Sequence, residues 1–413
     1  MTSRDARLVG LFTLVALALR LGFVLAVRRH SFVLNDSFFY GLTAKSLAEG
    51  KGFEFVPGYP TAHWPPGYPF VLSLLYRVFG SSEKAGEILN AFIGALTVPL
   101  LYELARRAFG RREALVAAGF LAVFPGQILW ADVLVAETFY TFMLVGFLLL
   151  LAVLPPRLWG WLLLGAGIGA ITLTRGEGLL LIPVVIAVWW PGLPRKALLA
   201  RAAAVVAAAL LVLAPWTIRN AIVMDAFIPL ATNSSTTLWS GHNPTANGGQ
   251  SYAGHELTKQ ITGKQPEVEE ARILRKAAFK FMRTHPKREL ELIPLKLLNL
   301  NRGDSWAMEW VNAGKPGRRP FGKELGTPVR VVADVGYYGL LALTLAALVL
   351  FWRALWRRPI TRGVLTLFAG SLVMYGFVYY GNYRYRVPLE PLMMLVAAPL
   401  LVRAWDLRRA EAT

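Results

Sequence analysis

The amino-acid sequence predicts an all-α, polytopic membrane protein with about ten transmembrane helices. Of its 413 residues, 55% are hydrophobic, and the mean hydropathy is +0.46. The apolar residues come in separate runs, many of them near the length of about 20 residues with which a helix crosses the hydrocarbon core. Arginines stand at the ends of these runs, which is typical of membrane proteins.

The net charge of +19 does not indicate a nucleic-acid-binding protein. The basic residues lie mostly in short groups beside apolar segments, where they face anionic lipid headgroups. We therefore expect membrane lipids as partners and no nucleic acid. The absence of cysteine excludes disulfide bonds, thiolate metal sites and a cysteine nucleophile.

The first apolar run follows Arg4 and Arg7, and no small-residue cleavage site comes after it, so we interpret it as an uncleaved helix. The predicted spans are residues 8–28, 84–105, 113–131, 134–154, 158–174, 177–191, 199–218, 328–351, 362–380 and 387–403. They divide the chain into a first transmembrane helix (1–28), a first extracytoplasmic loop with juxtamembrane helices (29–83), transmembrane helices 2–7 (84–218), a second extracytoplasmic loop with interfacial helices (219–327), and helices 8–10 with a cytoplasmic tail (328–413).

The positions of the basic residues predict the orientation. Cytoplasmic loops carry an excess of lysine and arginine. The predicted spans agree with this rule when both termini are cytoplasmic. The cytoplasmic segments are then residues 106–112, the loop with Arg157, residues 195–201, residues 353–362 and the tail from Arg403. We expect a multi-pass protein of the plasma (inner) membrane of a bacterium.

The two long extracytoplasmic segments are predicted to contain helices that do not span the membrane. The first holds a helix over 36–49 and an apolar stretch over 68–78 that is too short to cross. The second holds amphipathic helices over 267–283 and 287–299, separated by Pro286. Their lysines and arginines favour a position on the headgroups.

Asp36 begins the first of these helices, a few residues after the first span. With Asn35 it could be a helix N-cap. A carboxylate beside an apolar wall can also accept the proton of a hydroxyl group. We take it as a candidate general base.

The segment Thr61–Tyr68 contains His63 and Trp64, presented by the rigid pair Pro65 and Pro66. These side chains are candidate substrate contacts or interfacial anchors, since tryptophan and tyrosine favour that depth.

Acidic residues stand at the turn between the third and fourth spans. Asp132 lies in the turn, and Glu137 lies just inside the next helix. A favourable interaction with the helix dipole explains Asp132 better than Glu137. We predict a substrate contact for Asp132 and a catalytic role for Glu137.

Arginines on the extracytoplasmic side of the membrane are unexpected under the positive-inside rule. Arg175 and Glu177 lie where the loop between two spans is almost absent. They form an ion pair, or Arg175 binds an anion while Glu177 holds the arginine in place. Arg384 and Arg386 precede the last span and alternate with Tyr383 and Tyr385, which are further candidate substrate contacts. With Arg219 they predict a ring that contacts ordinary phospholipid or binds a lipid-linked phosphate.

Several kinds of site have no counterpart in the sequence. There is no phosphate-binding glycine loop of the nucleoside-triphosphate type, and the five histidines are scattered. We expect no metal and no cofactor.

The order of these motifs resembles the GT-C superfamily of membrane glycosyltransferases, in particular the protein O-mannosyltransferases and the lipid A aminoarabinose transferase. The resemblance covers nearly the whole chain. It is carried by Asp36, Tyr40 with the stretch 47–53, Trp64–Tyr68, Ala136–Thr138, Thr174–Gly178, Pro215–Trp216 with Arg219–Asn220, and Arg384–Arg386 with Pro388.

The resemblance implies a GT-C fold and a sugar donor carried on a polyprenyl phosphate outside the cytoplasm. It makes Asp36 the base, makes Arg175, Arg219, Arg384 and Arg386 candidate ligands of the donor phosphate, and adds Tyr40, Glu177 and Asn220 to the substrate contacts. The protein mannosyltransferases carry two neighbouring acids in the first loop, whereas Asn35 and Ser37 flank Asp36 here, which argues against a protein acceptor.

We predict an inverting transfer from such a donor to an extracytoplasmic lipid, glycan or protein. The alternatives are a transporter or flippase, and a polymerase or ligase, for lipid-linked sugars. Transporters place their sites near the middle of the membrane, often between repeated halves. This sequence has no internal repeat and gathers its polar clusters at one face, which favours the enzyme.

Overall fold

Long helices dominate the part of the chain that the computed structural model describes, namely residues 2–27, 36–191, 193–251, 257, 266–311 and 323–411. The α-helices are α1 (Ser3–Ala26), α2 (Asp36–Ala48), α3 (Gly67–Phe79), α4 (Glu83–Ala108), α5 (Arg111–Val123), α6 (Pro125–Leu129), α7 (Glu137–Val153), α8 (Leu158–Thr172), α9 (Leu181–Trp189), α10 (Arg195–Val223), α11 (Asn233–Gly241), α12 (Pro266–Thr284), α13 (Pro286–Leu300), α14 (Ala307–Val311), α15 (Lys323–Arg357), α16 (Pro359–Val373), α17 (Tyr383–Arg386) and α18 (Glu390–Glu411).

Short irregular helical turns connect several of these helices. Four have 3-10 geometry, and the turn after α16 has π geometry. They are Trp130–Asp132, Gly176–Leu180, Asp304–Trp306, Val387–Leu389 and the π turn Met374–Val378.

The ten predicted spans all overlap apolar helices, but the count of ten is not confirmed. Among the described residues, six helices are long and apolar enough to cross a membrane, or seven if α5 and the bent segment after it form one span. The helices at the other three predicted spans are shorter, and they are Glu137–Val153, Leu158–Thr172 and Gly176–Trp189. Broken and short helices leave backbone N–H and C=O groups near membrane depth without helical partners. Other protein groups must form hydrogen bonds with them.

Contacts between helix ends place the predicted cytoplasmic segments together. Asp5 at the start of α1 pairs with Arg111 at 2.6 Å, and Arg112 pairs with Asp406 of α18 at 2.6 Å. At the other end of α1, Lys84 donates to the carbonyl of Val24 at 2.8 Å. The start of α4 therefore lies at the end of the bundle opposite to both chain termini.

The helices predicted within the two long loops are observed, to within one residue at each end, as α2, α3, α12 and α13. Their position outside the cytoplasm stays a prediction. The all-α prediction missed a small hairpin, in which β1 (Glu54–Val56) pairs antiparallel with β2 (Tyr59–Pro60). Gly58 supplies the positive φ of 79° at its turn, a conformation that favours glycine. Asn35, the other candidate N-cap, lies outside the described residues.

Arg20 is buried in α1 and holds the break between α5 and α6. Its Nη2 donates to the carbonyl of Leu121 at 3.1 Å, and Nη1 donates to the carbonyl of Ala122 at 3.2 Å. These carbonyls have lost their helical partners because α5 ends before Pro125, and the chain bends there by 48°. An arginine inside an apolar bundle is costly, so this arrangement has a structural purpose.

We predict that Arg20→Met lowers the free energy of unfolding by about 2 kcal/mol or more, because it leaves buried carbonyls without donors. The measurement is the melting temperature of the purified protein in detergent. Arg7→Met is the matched control, since Arg7 lies on the same helix with an exposed side chain. Equal melting temperatures for the two variants would contradict the assigned role of Arg20.

Candidate active site

Five charged side chains form one continuous set of ion pairs, here called the charge cluster: Asp36, Glu137, Arg175, Glu177 and Arg384. They come from α2, α7, the turn before α9, and α17. The sequence-based expectation that these groups meet at one place is therefore met by the geometry of the described residues.

Glu137 is the centre of the charge cluster. Its Oε1 accepts hydrogen bonds from both Arg175 and Arg384, and its side chain is 0% exposed. Glu137 is the first residue of α7, where a negative charge interacts favourably with the helix dipole. The negative charge of a buried carboxylate must be compensated. The two guanidinium groups on either side of Glu137 compensate it. The geometry makes Glu137 a counterion that positions the arginines; the catalytic role expected from the sequence stays a prediction.

Arg384 connects Glu137 to Asp36. Its Nη1 donates to Asp36 Oδ2 at 2.5 Å, and the Asp36 side chain is 34% exposed. Asn382 caps the short helix α17 by accepting from the Arg384 backbone N–H at 3.0 Å. The Trp310 ring lies 4.8 Å from the guanidinium. Arg384 is therefore fixed on several sides, with Asp36 at its more open edge.

Arg175 connects Glu137 to the other side of the cluster. Its Nη2 donates to Glu177 at 2.7 Å, and the Tyr375 hydroxyl donates to the same Glu177 oxygen at 2.5 Å. The rings of Tyr140 and Tyr385 lie 5.7 and 5.5 Å from the guanidinium. Aromatic faces at these distances stabilise a cation.

A narrow cleft opens beside Arg175 and, as it stands, has room for about one water molecule. One part of its lining is polar, and the rest is apolar side chain from α7, α16 and the turn before α18. The lining residues are Tyr140, Leu144, Arg175, Glu177, Leu180, Leu367, Ser371, Tyr375, Tyr385, Pro388 and Leu389. A cleft with a cation at one side and apolar walls matches an amphipathic ligand.

Arg386 does not join the charge cluster. Its terminal nitrogens pair with Asp304 at 2.7 Å and with Glu390 at 2.6 Å, and its side chain is 4% exposed. The Tyr337 ring covers the guanidinium at 3.3 Å. The predicted phosphate contact is thus replaced by a buried ionic contact between α17, α18 and the turn Asp304–Trp306. Arg384 and Arg386 are two residues apart on a short helical turn, so their side chains point in different directions. The sequence alone did not show which of the two faces the charge cluster.

Arg219 also lies apart. Its Nη1 donates to the carbonyl of Thr61 at 2.7 Å, and Nη2 donates to the carbonyl of Phe53 at 3.1 Å. Asn220 donates to the carbonyl of Ile228 at 3.0 Å. No hydrogen bond or ion pair joins either residue to the charge cluster within the described ranges. Arg219 ties the first outer segment to α10, and Asn220 ties the loop after α10 back to that helix. This corrects the predicted ring of phosphate-binding arginines.

Aromatic side chains of the first outer segment are packed together behind Asp36. Tyr40 lies 5.6 Å from Trp64 and 5.5 Å from Tyr68, ring to ring, and all three are buried. The Tyr68 hydroxyl donates to Asn90 at 3.0 Å. His63 contacts Trp64, and burial lowers the pKa of His63. These predicted substrate contacts form a wall that supports α2, with His63 neutral at pH 7.

The remaining predicted contacts fall in two places. Asp132 is buried 3.6 Å from the Lys84 ammonium, in a separate group with Glu87. The Tyr383 hydroxyl accepts from Trp310 at 2.8 Å, and the Tyr385 ring stacks on Tyr375 at 4.9 Å. Tyr383 and Tyr385 therefore border the charge cluster, whereas Asp132 does not.

Sequence reasoning missed Tyr375, Tyr140 and Trp310. Tyr375 was placed inside a predicted span, but it lies on the π turn Met374–Val378, a geometry often found at functional sites. A tyrosine within an otherwise apolar run was the available signal. Among the described residues, no group of three histidine, aspartate or glutamate side chains could hold a metal ion. The expected absence of a metal stays a prediction.

A further ionic group, His242, Glu289 and Lys296, lies outside the predicted spans and contacts the π turn from α11 and α13. His242 Nδ1 lies 2.7 Å from Glu289, and Nε2 lies 3.2 Å from the Lys296 ammonium and 2.9 Å from the carbonyl of Val378. Burial lowers the pKa of Lys296 to about 8, although Glu289 opposes this shift. The outer helices are thus attached to the turn that carries Tyr375.

Comparison with known proteins bears on the fold. The family model described as dolichyl-phosphate-mannose-protein mannosyltransferase matches residues 63–218. The apo oligosaccharyltransferase of Archaeoglobus fulgidus superposes with a TM-score of 0.56 at 16% identity, over 99% of this chain and 52% of that chain. The fold is the GT-C fold. No curated protein matched the sequence.

Two further structures have the GT-C fold and contain a lipid phosphate. The complex of AglB from Archaeoglobus fulgidus with an inhibitory peptide and a dolichol-phosphate gives a TM-score of 0.55 at 15% identity, over 99% of this chain and 51% of that chain. ArnT from Cupriavidus metallidurans, bound to undecaprenyl phosphate, gives 0.46 at 18% identity, over 94% and 75%. This chain therefore spans about half the length of the oligosaccharyltransferase chains.

Glu137 is fully buried and Asp36 is partly exposed, and this difference leads to a prediction about stability. Glu137→Gln should lower the free energy of unfolding by about 3–5 kcal/mol, because it leaves two buried guanidinium groups without their shared counterion. Asp36→Asn should change it by about 1 kcal/mol or less, because its ion pair is partly exposed. Melting temperatures in detergent test this, and equal losses for both variants would contradict it.

Lys296 generates a pH prediction. Its folded pKa of about 8 lies below the ordinary lysine pKa of 10.5, so the native chain binds fewer protons than the unfolded chain between these pH values. Its contribution to stability therefore rises with pH in that window. The melting temperature of the wild type should rise relative to that of Lys296→Met between pH 7 and pH 9. A constant difference between the two proteins would contradict this.

Proposed function

We propose that this chain is a membrane glycosyltransferase that moves a sugar from a polyprenyl-phosphate-linked donor to an acceptor on the outer side of the membrane. The observation that carries the proposal is the arrangement of the charge cluster beside a cleft with apolar walls. Arg175 lines this cleft, and Glu137 connects Arg175 to Arg384 and so to Asp36. Two guanidinium groups and a partly exposed carboxylate in one connected set are the groups that such a transfer needs.

The arginines stabilise the leaving group. When the bond between the anomeric carbon and the phosphate oxygen breaks, negative charge develops on the polyprenyl phosphate. Arg175 and Arg384 are both held by Glu137, so they are already oriented before the reaction. Fixed donors aimed at a developing charge stabilise a transition state without reorganisation. The apolar side of the cleft receives the first isoprene units.

Asp36 acts on the acceptor. It is the most exposed carboxylate of the charge cluster, so an acceptor from the outer solution can reach it. Its oxygen accepts the proton of the acceptor hydroxyl while that oxygen forms the new bond to the anomeric carbon. Attack from the face opposite the phosphate inverts the configuration of the sugar.

Three findings support the choice of donor. The matching family model is described by a dolichyl-phosphate-mannose activity, and two structures with this fold contain dolichol-phosphate or undecaprenyl phosphate. The cleft beside Arg175 joins a cation to apolar walls, as a phosphate on a lipid requires. The acceptor class remains lipid, glycan or protein under this proposal, and no cofactor is invoked.

The proposal also includes the location. Asp5, Arg111, Arg112 and Asp406 meet at one end of the bundle, and the charge cluster meets at the other. Under the positive-inside rule, the arginine-rich end is cytoplasmic. Both termini are then cytoplasmic, and the site opens on the outer face of the plasma membrane.

The test is sugar transfer from undecaprenyl-phosphate-linked donors in vesicles that contain the full chain. We expect Asp36→Asn to lower the rate by about 100-fold or more, since a positioned base contributes on the order of 10²–10⁴. Glu309→Gln, which removes an exposed acid paired with Arg330, should keep the wild-type rate.

Product should form without movement of the donor lipid across the bilayer, which separates a transferase from a flippase. Full activity of Asp36→Asn would remove Asp36 from the mechanism. Lipid movement without sugar transfer would contradict the proposed function.

A further inference from the structure

Asp36 and Arg384 are bonded to each other, although the proposed reaction gives them different partners. Asp36 Oδ2 lies 2.5 Å from Arg384 Nη1. In this contact the Asp36 oxygen is occupied by a guanidinium N–H and is not free to accept the proton of an acceptor hydroxyl. A guanidinium edge in this contact is also not available to a phosphate. The described structure thus holds both groups in a state that suits neither step.

Among the three carboxylates of the charge cluster, Asp36 can leave its arginine partner at the lowest cost in free energy. Its side chain is 34% exposed, compared with 0% for Glu137 and 20% for Glu177. Glu177 also accepts from Tyr375, and Glu137 serves two arginines. Partly exposed ion pairs contribute little to stability, whereas an uncompensated buried charge is strongly destabilising.

Charge balance gives a reason for an exchange. The cluster contains two guanidinium groups and three carboxylates. A phosphate added beside Arg384 would bring a further negative charge into a set that is already negative. If the phosphate takes the place of Asp36, one anion replaces another at the same guanidinium edge. Phosphate matches the fork of arginine, so it competes well for that edge.

We propose that the phosphate of the lipid-linked donor displaces Asp36 from Arg384, so that donor binding itself releases the base. This inference rests on the proposed function. Asp36 then turns toward the outer solution, where the acceptor hydroxyl meets a carboxylate without a cationic partner. The donor binds first, and the acceptor reacts second.

The exchange also accounts for the end of the cycle. The acceptor oxygen bonds to the anomeric carbon, the bond from that carbon to the phosphate oxygen breaks, and the proton of the acceptor moves to Asp36. A protonated Asp36 does not compete for Arg384, so the polyprenyl phosphate stays bound. When Asp36 loses the proton to water, it competes again and promotes release of the lipid phosphate.

The test is the affinity of the full chain for undecaprenyl phosphate, measured in nanodiscs at fixed salt. We expect Asp36→Asn and Asp36→Ala to bind it roughly fivefold more tightly than the wild type, because each removes a competing ion pair. Arg384→Gln should bind it more weakly. Glu309→Gln is the matched control, because Glu309 stands next to Trp310 at Arg384 but pairs with Arg330. Its affinity should equal that of the wild type.

Two outcomes overturn different claims. If Arg384→Gln weakens binding but both Asp36 variants bind as the wild type does, the exchange is wrong and the phosphate site stands. If the wild type does not bind undecaprenyl phosphate, or Arg384→Gln binds it equally well, the proposed donor site fails and the exchange fails with it. Melting temperatures identify any variant that does not fold, and either Asp36 variant suffices for the comparison.

Discussion

The rest of the site depends on one buried carboxylate that holds two guanidinium groups. Glu137 accepts from Arg175 and from Arg384 through the same oxygen, and water does not reach it. Without that negative charge the two cations would repel each other in an apolar surrounding. With it, each arginine keeps another edge for a second partner, which is Glu177 for Arg175 and Asp36 for Arg384.

Breaks in the helices bring these groups to the same place. The bend before Pro125 and the turn Trp130–Asp132 end one span early, so that Glu137 starts the next helix at the site. The turn Gly176–Leu180 carries Glu177, and the π turn Met374–Val378 carries Tyr375. Straight helices would have placed the same residues at other depths. The irregular backbone is supported where it occurs by Arg20, Asn382 and the His242 group.

Much of the fold could be predicted from the sequence, because apolar runs and arginine positions report directly on the bilayer. The outer helices were also predictable, since amphipathic patterns and prolines define α12 and α13. The site was predictable in its members Asp36, Glu137, Arg175 and Arg384 but not in its pairing. Exposure to water and direction of a side chain decide whether an arginine binds a ligand or a carboxylate. Arg386 and Arg219 have the same residue type and the same predicted depth, yet their donors are engaged by Asp304, Glu390 and backbone carbonyls.

The central claim is that Glu137 presents Arg175 and Arg384 to a lipid phosphate that takes the place of Asp36. The most direct measurement is an experimental structure of the full chain with bound undecaprenyl phosphate. Our account predicts that the phosphate lies within hydrogen-bond distance of Arg384 and beside Arg175, with Glu137 still between the two arginines and Asp36 away from Arg384. A phosphate bound elsewhere, with the pair of Asp36 and Arg384 intact, would contradict it.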